Sequence, residues 1–110
     1  MSPADRPLVW LAGRVLSPPF TMQGRREAGF LLRRLQRGDR FGLPASRPMP
    51  VIGRRCHELR IVDEVVTWRV IYRTDPDAIV IVEVFFKKSP ATPRSVLETC
   101  RRRLREYDDA

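Results

Sequence analysis

The chain predicts an α+β fold, a twisted antiparallel sheet with helices packed on one face and an open basic face, and three observations carry this expectation. Three strand-like runs, at about 57 to 62, 66 to 74 and 79 to 86, follow one another with only short polar breaks, the pattern of a meander. Apolar residues at helical spacing flank them on both sides: Ala28, Leu31, Leu32 and Leu35 before, Val96, Leu97, Cys100 and Leu104 after. A chain of 110 residues with 43% hydrophobic content can bury one modest core, so residues 1–110 read as a single domain with flexible ends at 1–7 and 108–110.

Taken in order, Leu8 to Ala12 is a short apolar run that predicts a first strand, closed by Pro18 and Pro19. Thr21 is placed to cap the helix that follows, and Gly38 to stop it. Its opposite face carries Arg25, Arg26, Arg33, Arg34 and Arg37, which reads as the solvated side of an amphipathic helix. Residues 39 to 55 hold Pro44, Pro48, Pro50, Gly42 and Gly53, too many breakers for a regular element, and form a long basic loop beside the meander. Asp63 and Glu64 connect the first two meander strands, and Asp75-Pro76-Asp77 turns the chain into the third. That third run, Ile79 to Phe86, is almost continuously β-branched and aromatic, as expected of a strand covered on one face and partly on the other. Thr92 then predicts a cap and Pro93 a first position for a last helix, which frays at Tyr107 to Ala110.

Strand alternation sorts the meander's side chains. Leu59 and Ile61 point into the core while Glu58 and Arg60 point away from it; Val70 and Tyr72 share one face, and Arg69, Ile71 and Arg73 the other. A sheet face with repeated arginines suits a polyanion better than an apolar ligand. The net charge of +8 and a pI near 10.9 agree with a phosphate-rich partner, although 19 of the 21 basic residues are arginine, a skew that genome base composition alone can produce. Two isolated cysteines give no disulfide framework, and neither they nor His57 make a metal site. No Gly-rich nucleotide loop is present. No apolar run reaches the roughly 20 residues needed to cross a bilayer, and the start lacks a signal peptide's apolar segment, so a cytoplasmic location without membrane contact is expected. Trp10 and Trp68 lie in apolar runs and read as core.

The segments His57-Glu58-Leu59-Arg60-Ile61, Trp68-Arg69-Val70-Ile71-Tyr72-Arg73 and Val84 to Pro93 ("VFFKKSPATP"), in this order and spacing, resemble the RelE/ParE superfamily of type II toxins, most closely its HigB-like, phage-derived host-inhibition branch. The resemblance covers about residue 8 to 107. It implies a small RelE-like fold. It also implies an mRNA endoribonuclease acting on the ribosome, without metal or other cofactor, through attack of the ribose 2′-hydroxyl on the adjacent phosphate. Its partners would be mRNA, the ribosome and a cognate helix-turn-helix antitoxin, with operator DNA bound only through that antitoxin.

Such chemistry needs a base, cations for the phosphorane-like transition state, and an acid for the leaving 5′-oxygen. Arg69, matching the R-x-x-Y segment, is carried over as the phosphate clamp, with Arg60 on the neighbouring strand as a second donor. Lys87 and Lys88, the only lysines, are either proton shuttles or strand-end phosphate ligands: Lys87 is assigned to catalysis and Lys88 to RNA binding. Glu58 is a base or a salt-bridge partner that orients Arg60 or Arg69. His57 is the obvious acid-base group by intrinsic pKa, yet alternation puts it on the face opposite Glu58. Arg73, Arg47, Arg54 and Arg55 are further RNA-binding candidates, and Tyr72 is expected in the core. The turn at 89 to 93 offers Ser89 and Thr92 in place of the histidine, tyrosine or arginine that several family nucleases carry there. That departure supports another reading, a ParE-type toxin that binds gyrase without cutting; a third is a phage-derived modulator of a host protein.

Overall fold

The computed structural model describes residues 5–17, 19–86 and 91–110. Their order is β1 (Leu8–Trp10), α1 (Met22–Gln36), β2 (Ser46–Pro48), β3 (Cys56–Asp63), β4 (Val66–Thr74), β5 (Ile79–Phe86) and α2 (Arg94–Asp109). The five strands form one sheet in the order β1-β5-β4-β3-β2. The α+β class and the meander are as expected, and the architecture is consistent with a RelE-like fold.

Three details differ from expectation. The sheet is mixed, because β1 enters parallel to β5 while every other pair is antiparallel. The loop before β3 contains a short edge strand, β2, whose Ser46, Arg47 and Pro48 stand opposite Leu59, Glu58 and His57. Finally, the helices cover both faces of the sheet. α1 lays Ala28, Leu31, Leu32 and Leu35 on Leu59, Ile61, Val70, Tyr72, Ile79 and Ile81, with Phe20 and Trp68 closing that core. α2 lays Cys100 and Leu104 on Cys56, Ile71, Val80 and Val82 of the opposite face. α2 therefore covers part of the basic face. The reason is apolar demand: Ile71, Val80 and Val82 share the arginines' face and need a cover.

A bulge in β5 adjusts that second face. Ile71 pairs with Glu83 whereas Tyr72 pairs with Ile81, so Val82 is the extra residue. Val82 and Glu83 both meet α2: Val82 joins its core, and the Glu83 carboxylate accepts from Arg103 at 2.9 Å.

Several local expectations hold. The Thr21 hydroxyl accepts from the Gly24 N–H at 3.0 Å and caps α1, and Gly38 follows its end at φ +96°. Tyr72 is buried with its hydroxyl bonded to Ser46 at 2.8 Å, and Trp68 stacks on Phe20. Others do not. Asp63 is not a solvated connector: it is 4% exposed and accepts from the Thr21 N–H and hydroxyl and the Trp68 indole N–H. Thr92 does not cap α2; Pro93 occupies the cap position without a side-chain bond, because the Thr92 hydroxyl is turned into the sheet. The last helix does not fray at Tyr107, since Asp108 is clamped by Arg73. At the other end, the Arg6 N–H bonds the Gln36 carbonyl and Pro7 accepts from Ile79, which ties residues 6–7 to the body.

Candidate functional site

Beside the start of α2, the strands β2, β3 and β4 present their charged residues together. Arg47 stands directly opposite Glu58, and Arg60 directly opposite Arg69. Glu58 is fully buried. Its Oε1 accepts from Arg69 Nη1 at 3.1 Å and from Arg47 Nε at 3.2 Å, while its Oε2 accepts from the Thr92 hydroxyl at 3.1 Å. A buried carboxylate is tolerated only when its oxygens are satisfied in this way. Two guanidinium groups thus bond one carboxylate, and a third arginine, Arg60, stands opposite one of them on the neighbouring strand.

The two facing arginines differ. Arg69 is 6% exposed, and burial pushes its pKa down more strongly than Glu58 raises it, with Arg60 and Arg47 adding to the depression. An arginine remains protonated even so. Its Nε has no hydrogen-bond partner among the described residues, and neither does the guanidinium of the half-buried Arg60. Like charges placed directly opposite one another repel. An anion held between them would relieve that repulsion.

The structure splits the remaining predicted residues into separate groups. Arg73 lies beyond Ile71 on the same face, but its guanidinium is consumed by Asp75 at 2.7 Å and Asp108 at 2.7 Å and packs over the Tyr107 ring. It is buried and ties β4 to the end of α2 as a strut. Arg55 bonds the Thr74 carbonyl and Asp75, with exposed Arg54 beside it. His57 sits on the opposite face, as alternation requires, stacked on Tyr72 with ring centroids 5.3 Å apart, and burial lowers its pKa. It is therefore absent from the Glu58 cluster. Lys87, Lys88 and Ser89 lie outside the described residues.

Sequence reasoning missed Thr92 as a Glu58 ligand, although the Thr-Pro pair was part of the recognised motif. It pointed Glu58 away from the core, where the structure buries it fully. Alternation gives a side chain's face but not what covers that face. With both oxygens engaged, Glu58 positions Arg47 and Arg69. Among the described residues no group of three or more His, Cys, Asp or Glu side chains is arranged to hold a metal ion.

A small mixed sheet with a helix on each face and a carboxylate-centred arginine cluster at one end defines a compact α+β protein. Residues 20–105 match the model of the family described as "Phage derived protein Gp49-like (DUF891)", and the chain belongs to that family. No curated protein matches the chain. Among the described residues no helix is long and apolar enough to cross a membrane.

Proposed function

We propose that this protein is the toxin of a type II toxin–antitoxin pair and that its target is RNA, cleaved at the Arg60 and Arg69 cleft. Membership of a phage-derived family is compatible with a toxin–antitoxin context, and the resemblance of the three motif segments to HigB-like toxins points the same way. The observation that carries the reading is the direct register of Arg60 with Arg69, the former without an ion-pair partner among the described residues. Two guanidinium forks on adjacent strands suit the non-bridging oxygens of one phosphate and stabilise the extra charge of a pentacoordinate transition state.

In this mechanism the 2′-hydroxyl loses its proton to a base as its oxygen bonds to phosphorus. The 5′-oxygen leaves and takes a proton from an acid, giving a 2′,3′-cyclic phosphate and a free 5′-hydroxyl. Lys87, which follows Phe86 in sequence, is assigned proton transfer and Lys88 a phosphate contact, because a lysine gives up its proton more readily than an arginine. Glu58 holds the arginine array in place. The partners are mRNA on the ribosome and a helix-turn-helix antitoxin, and the site of action is the cytoplasm.

The engagement of both Glu58 oxygens favours a second reading, a toxin that grips its target without cutting it, as ParE-type members do. The two separate on induction of wild type and Arg60→Ala in bacteria with mapping of RNA 5′ ends. Cuts within translated codons that vanish in the variant support cleavage. Growth arrest with intact messages removes it and leaves the binding-only toxin.

A further inference from the structure

The arginine cleft continues into a groove. Arg47 and Thr92, both bound to Glu58, line one end of a cavity of about 330 Å³ between the loop at 48–51 and α2. At its other end the Val51 carbonyl accepts from Arg101 Nε at 2.8 Å, a bond that joins the loop to the helix. Beyond that bond lies a second cavity, of about 470 Å³, between residues 52–56 and the last turns of α2. Five arginines line it: Arg54, Arg55, Arg73, Arg101 and Arg105. Asp108 lies on its wall and Asp75 pairs with Arg55 and Arg73, so the two carboxylates leave three positive charges uncompensated. The side chains of Arg54 and Arg105 are exposed and have no hydrogen-bond or ion-pair partner among the described residues.

We propose that this groove is a second subsite for single-stranded RNA, holding the sugar-phosphate backbone of the strand whose scissile phosphate sits between Arg60 and Arg69. The inference rests on the RNA-directed reading above and extends it to Arg54, Arg101 and Arg105. Charge supplies the affinity: guanidinium groups spaced along a groove release counterions from successive phosphates. The floor is apolar, from Ile52 and Leu104, and among the described residues no aromatic ring lines this second cavity. Bases therefore find no stacking platform, and the subsite reads backbone without sequence preference. Because Arg101 is held by the Val51 carbonyl, the groove's width is set by the fold.

The test measures binding by fluorescence anisotropy of 2′-O-methyl oligoribonucleotides, which resist 2′-hydroxyl cleavage, at lengths of about 4 and 12 nucleotides over a salt series. Wild type, Arg54→Ala/Arg105→Ala and Arg60→Ala are compared. The wild type is expected to bind the longer oligonucleotide more tightly. The double variant should weaken that complex at least about fivefold, reduce its log–log salt slope by about 1.4 for two lost phosphate contacts, and leave the short oligonucleotide unaffected. Arg60→Ala should weaken both lengths. Unchanged long-oligonucleotide binding in the double variant overturns the groove, even if cleavage at Arg60 and Arg69 stands. Loss in the double variant with no effect of Arg60→Ala keeps the groove and removes the cleft as the RNA site. Failure of wild type to bind the long oligonucleotide, or its displacement by polyglutamate at equal charge, overturns the proposal. The latter result would assign the groove to an acidic protein.

Discussion

Arg60 and Arg69 face one another across the β3–β4 ladder, and of the two only Arg69 has a carboxylate partner among the described residues, the buried Glu58. The same residue type thus has opposite duties on adjacent strands. Replacing Arg69 by alanine strips a buried carboxylate of one partner, although Arg47 and Thr92 still hold it. The expected cost is about 3 kcal/mol, the low end for a broken buried pair. Arg60→Ala removes a like-charge neighbour and is expected to stay within about 0.5 kcal/mol of wild type. Urea denaturation of both variants checks this, and a large loss at Arg60 would contradict the account of the cleft. Arg60→Ala is accordingly the cleaner probe of activity.

Two glycines of α1 should respond in opposite directions. A Cβ on Gly24 would lie 2.4 Å from Cγ of Asp63 and nearly as close to both its oxygens, whereas Gly29 has nothing within 4 Å. Alanine is favoured over glycine in a helix interior by about 1 kcal/mol. Gly29→Ala should therefore stabilise by about 0.5–1 kcal/mol. At Gly24 the carboxylate must swing away from Thr21 and Trp68, and the net loss is expected at about 1–3 kcal/mol. Thermal melts of the two variants decide it by sign.

Asp63 should make stability fall in acid. Its hydrogen bond from Thr21, outweighing burial and helped by Trp68, holds its carboxyl below the usual carboxylate range in the folded protein. Its stabilising effect is complete above the unfolded value, about 3.9, and disappears as pH falls through the lower folded value. The melting temperatures of wild type and Asp63→Asn should differ most near pH 6 and converge toward pH 2. A gap that stayed constant across that range would show that the charge of Asp63 is not what holds the α1 start.

Both cysteines should be inert to thiol reagents in the native state. Cys100 is fully buried and its thiol is pushed up to about 12, chiefly by burial, with Glu83 contributing; burial likewise raises Cys56 despite Arg73 and Arg55. The thiolate is the reactive form. Labelling with an aromatic disulfide reagent at pH 8 is expected to give no fast phase in native protein and two equivalents after denaturation. Rapid native labelling at Cys56 would mean that its cover by Met49 and Ile52 opens readily.

Much of this was legible in the residues themselves. Periodicity located both long helices and the three long strands, and alternation placed His57 and Tyr72 on one face and Arg60 and Arg69 on the other, because helix and strand periods are local properties of the backbone. Thr21 and Gly38 marked the ends of α1 for the same reason. The unread features depend on residues distant in sequence. Glu58 is buried because β2, β4 and the segment before α2 converge on it, and no local pattern records that Arg47, Arg69 and Thr92 will meet there. Arg73 looks like Arg69 in sequence; only the arrival of Asp108 from the end of α2 makes it a strut. Asp63 reads as a turn residue until α1 docks Thr21 and the side-chain-free Gly24 against it. Face and element follow from neighbours along the chain, whereas burial and charge pairing follow from which elements pack together, and that packing separated an available arginine from a committed one.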